Sequence, residues 1–202
     1  MKREAEIKGL LVENAIHLIG TGGFEKATTK EMTYCRGHLP DFKMNEIYIY
    51  RLFGNKEKLY EAAFVCLDTE LERALCMAVD ALGDFSENTE ERLLTLFSRS
   101  WGFLLNNEEK CRCYLRYYYS VYFKGAAVEA HNRLFGEIVS RMSPLFTEEA
   151  DVLSILHSAF MTLLDFAIRV YNGELEDNDI NRPHIYKMLY NMMSDYLKPL
   201  AA

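Results

Sequence analysis

Apolar residues recur at helical spacing along most of the chain, and no stretch alternates as a half-buried strand would. The first stripe is Ile7, Leu10, Leu11, Ala15, Leu18 and Ile19. It predicts an amphipathic helix over about Ala5–Thr21, stopped by Gly22-Gly23 because glycine accepts the left-handed conformation that ends helices. Thr28 then caps a second helix, Glu31 completes a capping box, and Met32 and Cys35 turn toward the core. A third helix is expected from Asn45, its N-cap, to about Phe53. Gly54-Asn55 breaks the chain again. Asn55 caps a long fourth helix from Lys56 to about Leu82, with the stripe Tyr60, Phe64, Leu67, Leu71, Ala74, Ala78 and Leu82. Two short helices before a long one form a helix-turn-helix layout. The segment Gly37–Met44 between them is longer than the usual turn of three or four residues.

Beyond this point the pattern stays helical. The loop from Gly83 to Glu87 reads as the seam between two domains. Asn88 and Glu91 form another capping box, opening a helix to about Leu105 whose buried face is Leu93, Phe97, Trp101 and Leu104. After the break at Asn106-Asn107, a helix near Glu108–Phe123 carries six aromatics. At helical spacing Tyr118 and Tyr122 share one face, and Tyr119 and Phe123 another. Gly125 ends it, and the next helix reaches about Met142, before Pro144. Thr147 is expected to cap a helix to about Tyr171, with Glu148 and Glu149 in its first turn. Asn172-Gly173 ends that helix, the acidic stretch Glu174–Asp179 reads as a solvated loop, and a last helix runs from near Pro183 to near Leu197. The fold class is therefore all-α with about nine helices. An N-terminal three-helix helix-turn-helix head, residues 1–55, joins a larger helical body, residues 56–202.

Composition adds a charge contrast. The net charge of −7 hides a split. Residues 1–60 hold seven lysines and three arginines against seven glutamates and one aspartate, a net +2, so the rest carries −9. Nucleic acid would be drawn to the head and repelled by the body. The five cysteines, an odd number without a signal peptide, indicate reduced thiols and a cytoplasmic setting. Cys111-Arg-Cys113 has no second pair to complete a tetrahedral site, so neither a metal nor a cofactor is expected. No apolar run approaches the ~20 residues that span a membrane. An enzyme is not expected either, because the chain has no nucleophile elbow, phosphate-cradling glycine loop or metal cluster. His131 and His157 stand alone and read as structural.

The ordered set Gly23-Phe24, Thr28-Thr29, Ile49-Tyr50-Arg51-Leu52-Phe53 and Asn55-Lys56-Glu57-x-Leu59-Tyr60 resembles the DNA-binding head of TetR/AcrR-type repressors, over about residues 5–60. The resemblance implies a homodimer in which the third helix of each head enters the major groove of operator DNA. It implies a body that binds a small-molecule effector, pairs through its last two long helices, and releases the DNA when the effector binds. The residue chemistry agrees. Thr28 and Thr29 open a helix whose free N–H groups can hold a phosphate. The Tyr50 hydroxyl and Lys56 can do the same. Asn45, Glu46 and Tyr48 are candidates for base edges, and Lys43 and Arg51 for bases or backbone. The longer turn, and an acidic Glu46 in the recognition helix, motivate an alternative: a helical ligand- or protein-binding dimer whose head no longer reads DNA.

In the body, Trp101, Tyr118, Tyr122 and Phe160 are candidates for the wall of a mostly apolar ligand cavity. Asp165 lies within the apolar run Phe160–Ile168, where a carboxylate needs a partner, either Arg169 or a cationic ligand. Val152, Leu156, Phe160, Leu163 and Ala167, with Ile185, Leu189, Met192 and Met193, form the stripes expected at the dimer interface.

Overall fold

The stripes become nine α-helices among the residues that the computed structural model describes, 2–34, 44–83 and 89–199. They are α1 (Lys2–Gly22), α2 (Thr29–Met32), α3 (Ile47–Phe53), α4 (Lys56–Asp80), α5 (Thr89–Leu105), α6 (Glu108–Tyr118), α7 (Ala126–Met142), α8 (Val152–Tyr171) and α9 (Asn181–Ser194), with a 3-10 turn at Ser143–Leu145. Several ends are set as their local chemistry dictates. Thr28 accepts from the Glu31 N–H at 3.2 Å and Asn55 from the Lys58 N–H at 2.8 Å. Expectations for Cys35, Lys43, Asn88 and the turn from Gly37 fall outside the described residues or mostly so.

The chain forms two compact units, residues 1–70 with 109–131 and residues 71–108 with 132–202. In the first, α1 packs on α2 and α3. Ile7, Leu11, Ala15 and Ile19 of α1, with Met32 and Ile49, are buried there. An aromatic cluster fills the rest. Phe64 stacks on Tyr117 at 4.6 Å, and Phe24 lies 5.2 Å from Tyr60 and 4.9 Å from Tyr122. Buried Tyr60 donates to the Ala27 carbonyl at 2.5 Å, and burial pushes its pKa up to about 12. Gly20 sits against α6, where a Cβ would overlap the Glu109 carbonyl. Arg116 of α6 donates to the carbonyls of Ile19, and of Gly20 at 2.7 Å, at an α1 terminus with no basic residue of its own. His131, read as a lone histidine, is buried and lies 3.2 Å from the equally buried Asp68 carboxylate.

In the second unit, α5, α8 and α9 pack on one another. Trp101 is buried, stacks on Phe97, and donates its indole N–H to Asp177 at 2.9 Å. Asp177 also takes two hydrogen bonds of 2.6 Å from Arg182, whose guanidinium chiefly holds its pKa below the usual carboxylate range. The tail returns over the end of α7: Thr147 donates to the Tyr196 carbonyl at 2.8 Å and Lys198 to that of Leu145 at 2.9 Å.

Five expectations are corrected. α6 ends at Tyr118, because the Ser120 hydroxyl bonds the Tyr117 carbonyl at 2.7 Å and accepts from the Tyr122 N–H at 3.1 Å; the expected pairing of faces out to Phe123 fails with it. α8 is capped by Asp151, which accepts from the Ser154 N–H at 3.1 Å, and not by Thr147. Asp177 is bonded rather than simply solvated. The expected interface stripes are largely internal, since Leu156, Phe160, Leu163, Ala167, Ile185, Leu189 and Met193 are buried within the chain. Finally, α8 is long and apolar enough, at 20 residues with mean hydropathy 1.4, to cross a membrane by length and composition. It packs on α5 and α9 through six buried residues, while 17% of its most apolar 18-residue window is buried within the chain.

The Trp101–Asp177–Arg182 chain gives a measurable expectation. Asp177→Ala leaves a buried indole N–H without its acceptor and should cost about 1–3 kcal/mol in chemical denaturation. The native carboxyl titrates below its unfolded value near 4. Its contribution is therefore complete above about pH 4 and fades as pH falls through the lower native value. The emission of Trp101, the sole tryptophan, should report both effects. An unchanged stability and acid profile in the variant would show that the contact carries no energy.

Candidate functional site

α3 is held by one fully buried residue, Ile49, and by its contact with α1. Helical spacing then turns Ile47, Tyr50 and Arg51 outward; Ile47 is 63% and Tyr50 55% exposed. Gly54, at φ 89°, makes the sharp exit from α3 that a side chain would resist. This turn sets Lys56, also exposed, at the start of α4. Exposed Tyr50, Arg51 and Lys56 thus come from one helix and the first residue of the next.

The other head candidates are more constrained. Asn45 is exposed, and its Oδ1 accepts from the Ile47 N–H at 3.1 Å, so it shapes the entry to α3. α3 itself starts two residues later than expected, with Glu46 at the N-cap position making no cap hydrogen bond. The Glu46 carboxylate instead accepts from the Thr29 hydroxyl, tying the start of α2 to the start of α3. Thr28 spends its hydroxyl as a cap. The Tyr48 ring lies under the Arg51 guanidinium, 4.8 Å away, and Arg51 also reaches Glu4 at 3.5 Å, an exposed pair of little strength. Lys43 lies outside the described residues. Sequence reasoning missed Asn14, which donates to the Met32 carbonyl at 2.9 Å and fixes the end of α2 on α1. A polar residue inside the α1 stripe region was the available signal.

The ligand candidates separate. Tyr118 and Tyr122 belong to the aromatic cluster of the first unit, with Tyr118 4.6 Å from Phe123 and Tyr122 5.6 Å from Tyr60. Trp101, Phe160 and Asp165 belong to the second. Asp165 is exposed on α8, correcting the premise that it is buried, and Arg169 pairs with Glu174 at 3.9 Å. Phe160 lines two cavities. The larger, about 370 Å³, is walled by α4 (Leu71, Ala74, Leu75, Ala78), α5 (Arg99, Ser100, Phe103) and α8 (Phe160, Leu163). The smaller, about 110 Å³, shares Leu75, Ser100, Phe160 and Leu163 with it and extends toward α7 and α9. The sequence signal for this space is a run of small residues, Ala74 and Ala78 on α4 and Ala81 just after it, on an otherwise bulky stripe.

Solved structures share this architecture. One is a TetR family transcription regulator from Marinobacter aquaeolei VT8, with a TM-score of 0.72 and 13% identity over 98% of this chain and 99% of that one. A second is a putative TetR family transcription regulator from Shewanella sp. PV-4, with a TM-score of 0.71 and 16% identity over 96% and 99%. A third, from Vibrio parahaemolyticus, is a putative transcriptional regulator of the TetR family, at 0.64 and 14% over 96% and 100%. No family model matches the sequence. No match was found among curated proteins. The chain therefore has the TetR-type fold, helix-turn-helix head and helical body included.

The Thr29–Glu46 link can be measured directly. A double-mutant cycle with Thr29→Val and Glu46→Gln should give a coupling of about 0.5–1.5 kcal/mol in equilibrium unfolding. Additive single effects would mean that the two helix starts are not joined energetically.

Proposed function

We propose that the chain is a DNA-binding transcription regulator, with residues 1–55 as the DNA-binding head and residues 56–202 as the effector-binding and dimerisation body. The observation that carries this reading is the solvent-facing set Ile47, Tyr50 and Arg51 on α3, with Lys56 beside it, in a fold shared with TetR-type regulators. Tyr50, Arg51 and Lys56 are the phosphate contacts of this proposal and place the head on the duplex. Asn45 supplies amide donors and acceptors for a base edge, and Ile47 an apolar surface suited to a thymine methyl. Tyr48 acts by supporting Arg51. Thr28 and Thr29 contribute backbone N–H groups, since their hydroxyls are engaged. Two copies pair through α8 and α9, where Leu153 and Met188, with Ile180 just before α9 and Tyr196 just after it, remain 44–69% exposed. The regulator is a repressor, and effector binding in the body releases the DNA.

One observation favours a second reading. The Glu46 carboxylate lies at the start of α2, where a phosphate would approach, and adds a negative charge to the same side of the head. A head fixed in that state would repel DNA, leaving a ligand- or protein-binding dimer.

Two measurements separate the readings. Titration against DNA from upstream of its own gene, beside a scrambled duplex, should show a preference of at least about a thousandfold, with affinity falling as salt rises. Salt-independent or absent DNA binding, including in a genome-wide selection of fragments, favours the second reading. Lys56→Ala should weaken every duplex alike and lower the salt slope by about one. A sequence-selective loss would remove Lys56 from the phosphate contacts.

A further inference from the structure

We infer that the cavity of the second unit takes a single-chain amphipathic anion, an alkyl carboxylate of the fatty-acid type, with its tail along α4 and its carboxylate at Arg99 and Ser100. The inference rests on the reading of this unit as the effector-binding body. The walls are aliphatic and aromatic, and the cavity's volume of about 370 Å³ falls within the range of small-molecule sites. Ala74 and Ala78 of α4, one turn apart, and Ala81 just past its end line the cavity with small side chains. A row of small side chains along one helix suits a linear chain laid against it.

The polar end is specified by two residues. Arg99 is the one charged side chain on the wall, no carboxylate lines either cavity, and Arg99 forms no ion pair or hydrogen bond with the described residues. Next to it, Ser100 is only 9% exposed and borders both cavities. Thr95 and Ser98 of the same helix return their hydroxyls to carbonyls four residues back, at 3.0 and 2.8 Å. Among the described residues no such bond is seen for the Ser100 hydroxyl, and Ser100 lines both cavities. A guanidinium and a hydroxyl together match a carboxylate, and a wall without acidic groups gives a cation no opposite charge. The smaller cavity shares Leu75, Ser100, Phe160 and Leu163 with the larger, so the two adjoin and a longer tail would extend toward it.

The test is calorimetric titration of the full-length protein, without DNA, with octanoate, decanoate, dodecanoate, dodecanol and dodecyltrimethylammonium below their micelle concentrations. Affinity should rise about fourfold per methylene from octanoate to dodecanoate. Dodecanoate should bind at least about tenfold more tightly than the ammonium compound. Arg99→Gln, at an exposed position, should cost dodecanoate at least about tenfold and leave dodecanol unchanged. Ala78→Phe should abolish binding of both, with helical content by circular dichroism confirming that each variant is folded. The inference is overturned if the folded protein fails to bind dodecanoate, binds the cation equally well, or is insensitive to Arg99→Gln. A protein that binds dodecanoate but no duplex would overturn the regulator reading and leave this one intact. Operator recognition without dodecanoate binding would do the reverse.

Discussion

Every helix leaves its last carbonyls without intrahelical donors, and in an all-helical chain this debt recurs at each end. Here distant side chains meet it. Arg116 serves the carbonyls that close α1, Arg92 the Leu82 carbonyl just after α4, and Tyr171 the Leu104 carbonyl in the last turn of α5. Tyrosines do similar work at other breaks: Tyr60 at Ala27, Tyr117 at Tyr122 and Tyr186 at Glu90. The Tyr60 and Tyr117 bonds satisfy a buried and a half-buried hydroxyl, while that of Tyr186 is exposed. The aromatic richness of the chain is thus a means of anchoring termini as well as of filling the core.

In the head, this anchoring decides what α3 can present. α1 carries the short helices, Asn14 ties down the end of α2, and Ile49 fixes the rotation of α3, so that its outward face follows from helical geometry alone. The Thr29–Glu46 contact then joins the two helix starts by a polar link at the edge of that face. In the body, a similar division holds between packing residues and space. The large side chains of α5 and α8 close the core, and the alanines of α4 keep a volume open beside them.

The sequence was most legible where a signal was local. Gly23, Gly54 and Asn55, and the stripes of α1, α4 and α5, placed their helices to within a few residues. It was least legible where a serine or a distant partner decided the outcome. Ser120 ended α6 inside an aromatic run that reads as continuous helix, and Asp151 displaced Thr147, whose backbone is drawn to Tyr196. Asp68 and His131 are 63 positions apart, so neither could be read as the other's partner. Of the residues expected to bind a ligand, Phe160 alone lines the candidate cavity, and the small residues of the α4 stripe were its other signal. Arg99 and Ser100 carry no pattern of their own, and an exposed Asp165 looks buried when only its neighbours along the chain are considered.

The first unit is discontinuous in sequence: residues 109–131 complete what residues 1–70 begin. This has a consequence for the order of events as the chain emerges. The carbonyls of Ile19 and Gly20 wait almost a hundred residues for Arg116, and Asp68 waits 63 for His131. Contacts of such separation carry a large loop-closure cost and slow folding relative to a bundle of neighbouring helices. A piece cut at residue 70 keeps the helix-turn-helix motif but loses Tyr114, Tyr117 and Tyr122 from its core and exposes Phe24 and Phe64. Such a piece is a motif without a complete fold, and grafting it elsewhere would require rebuilding the surface that α6 covers.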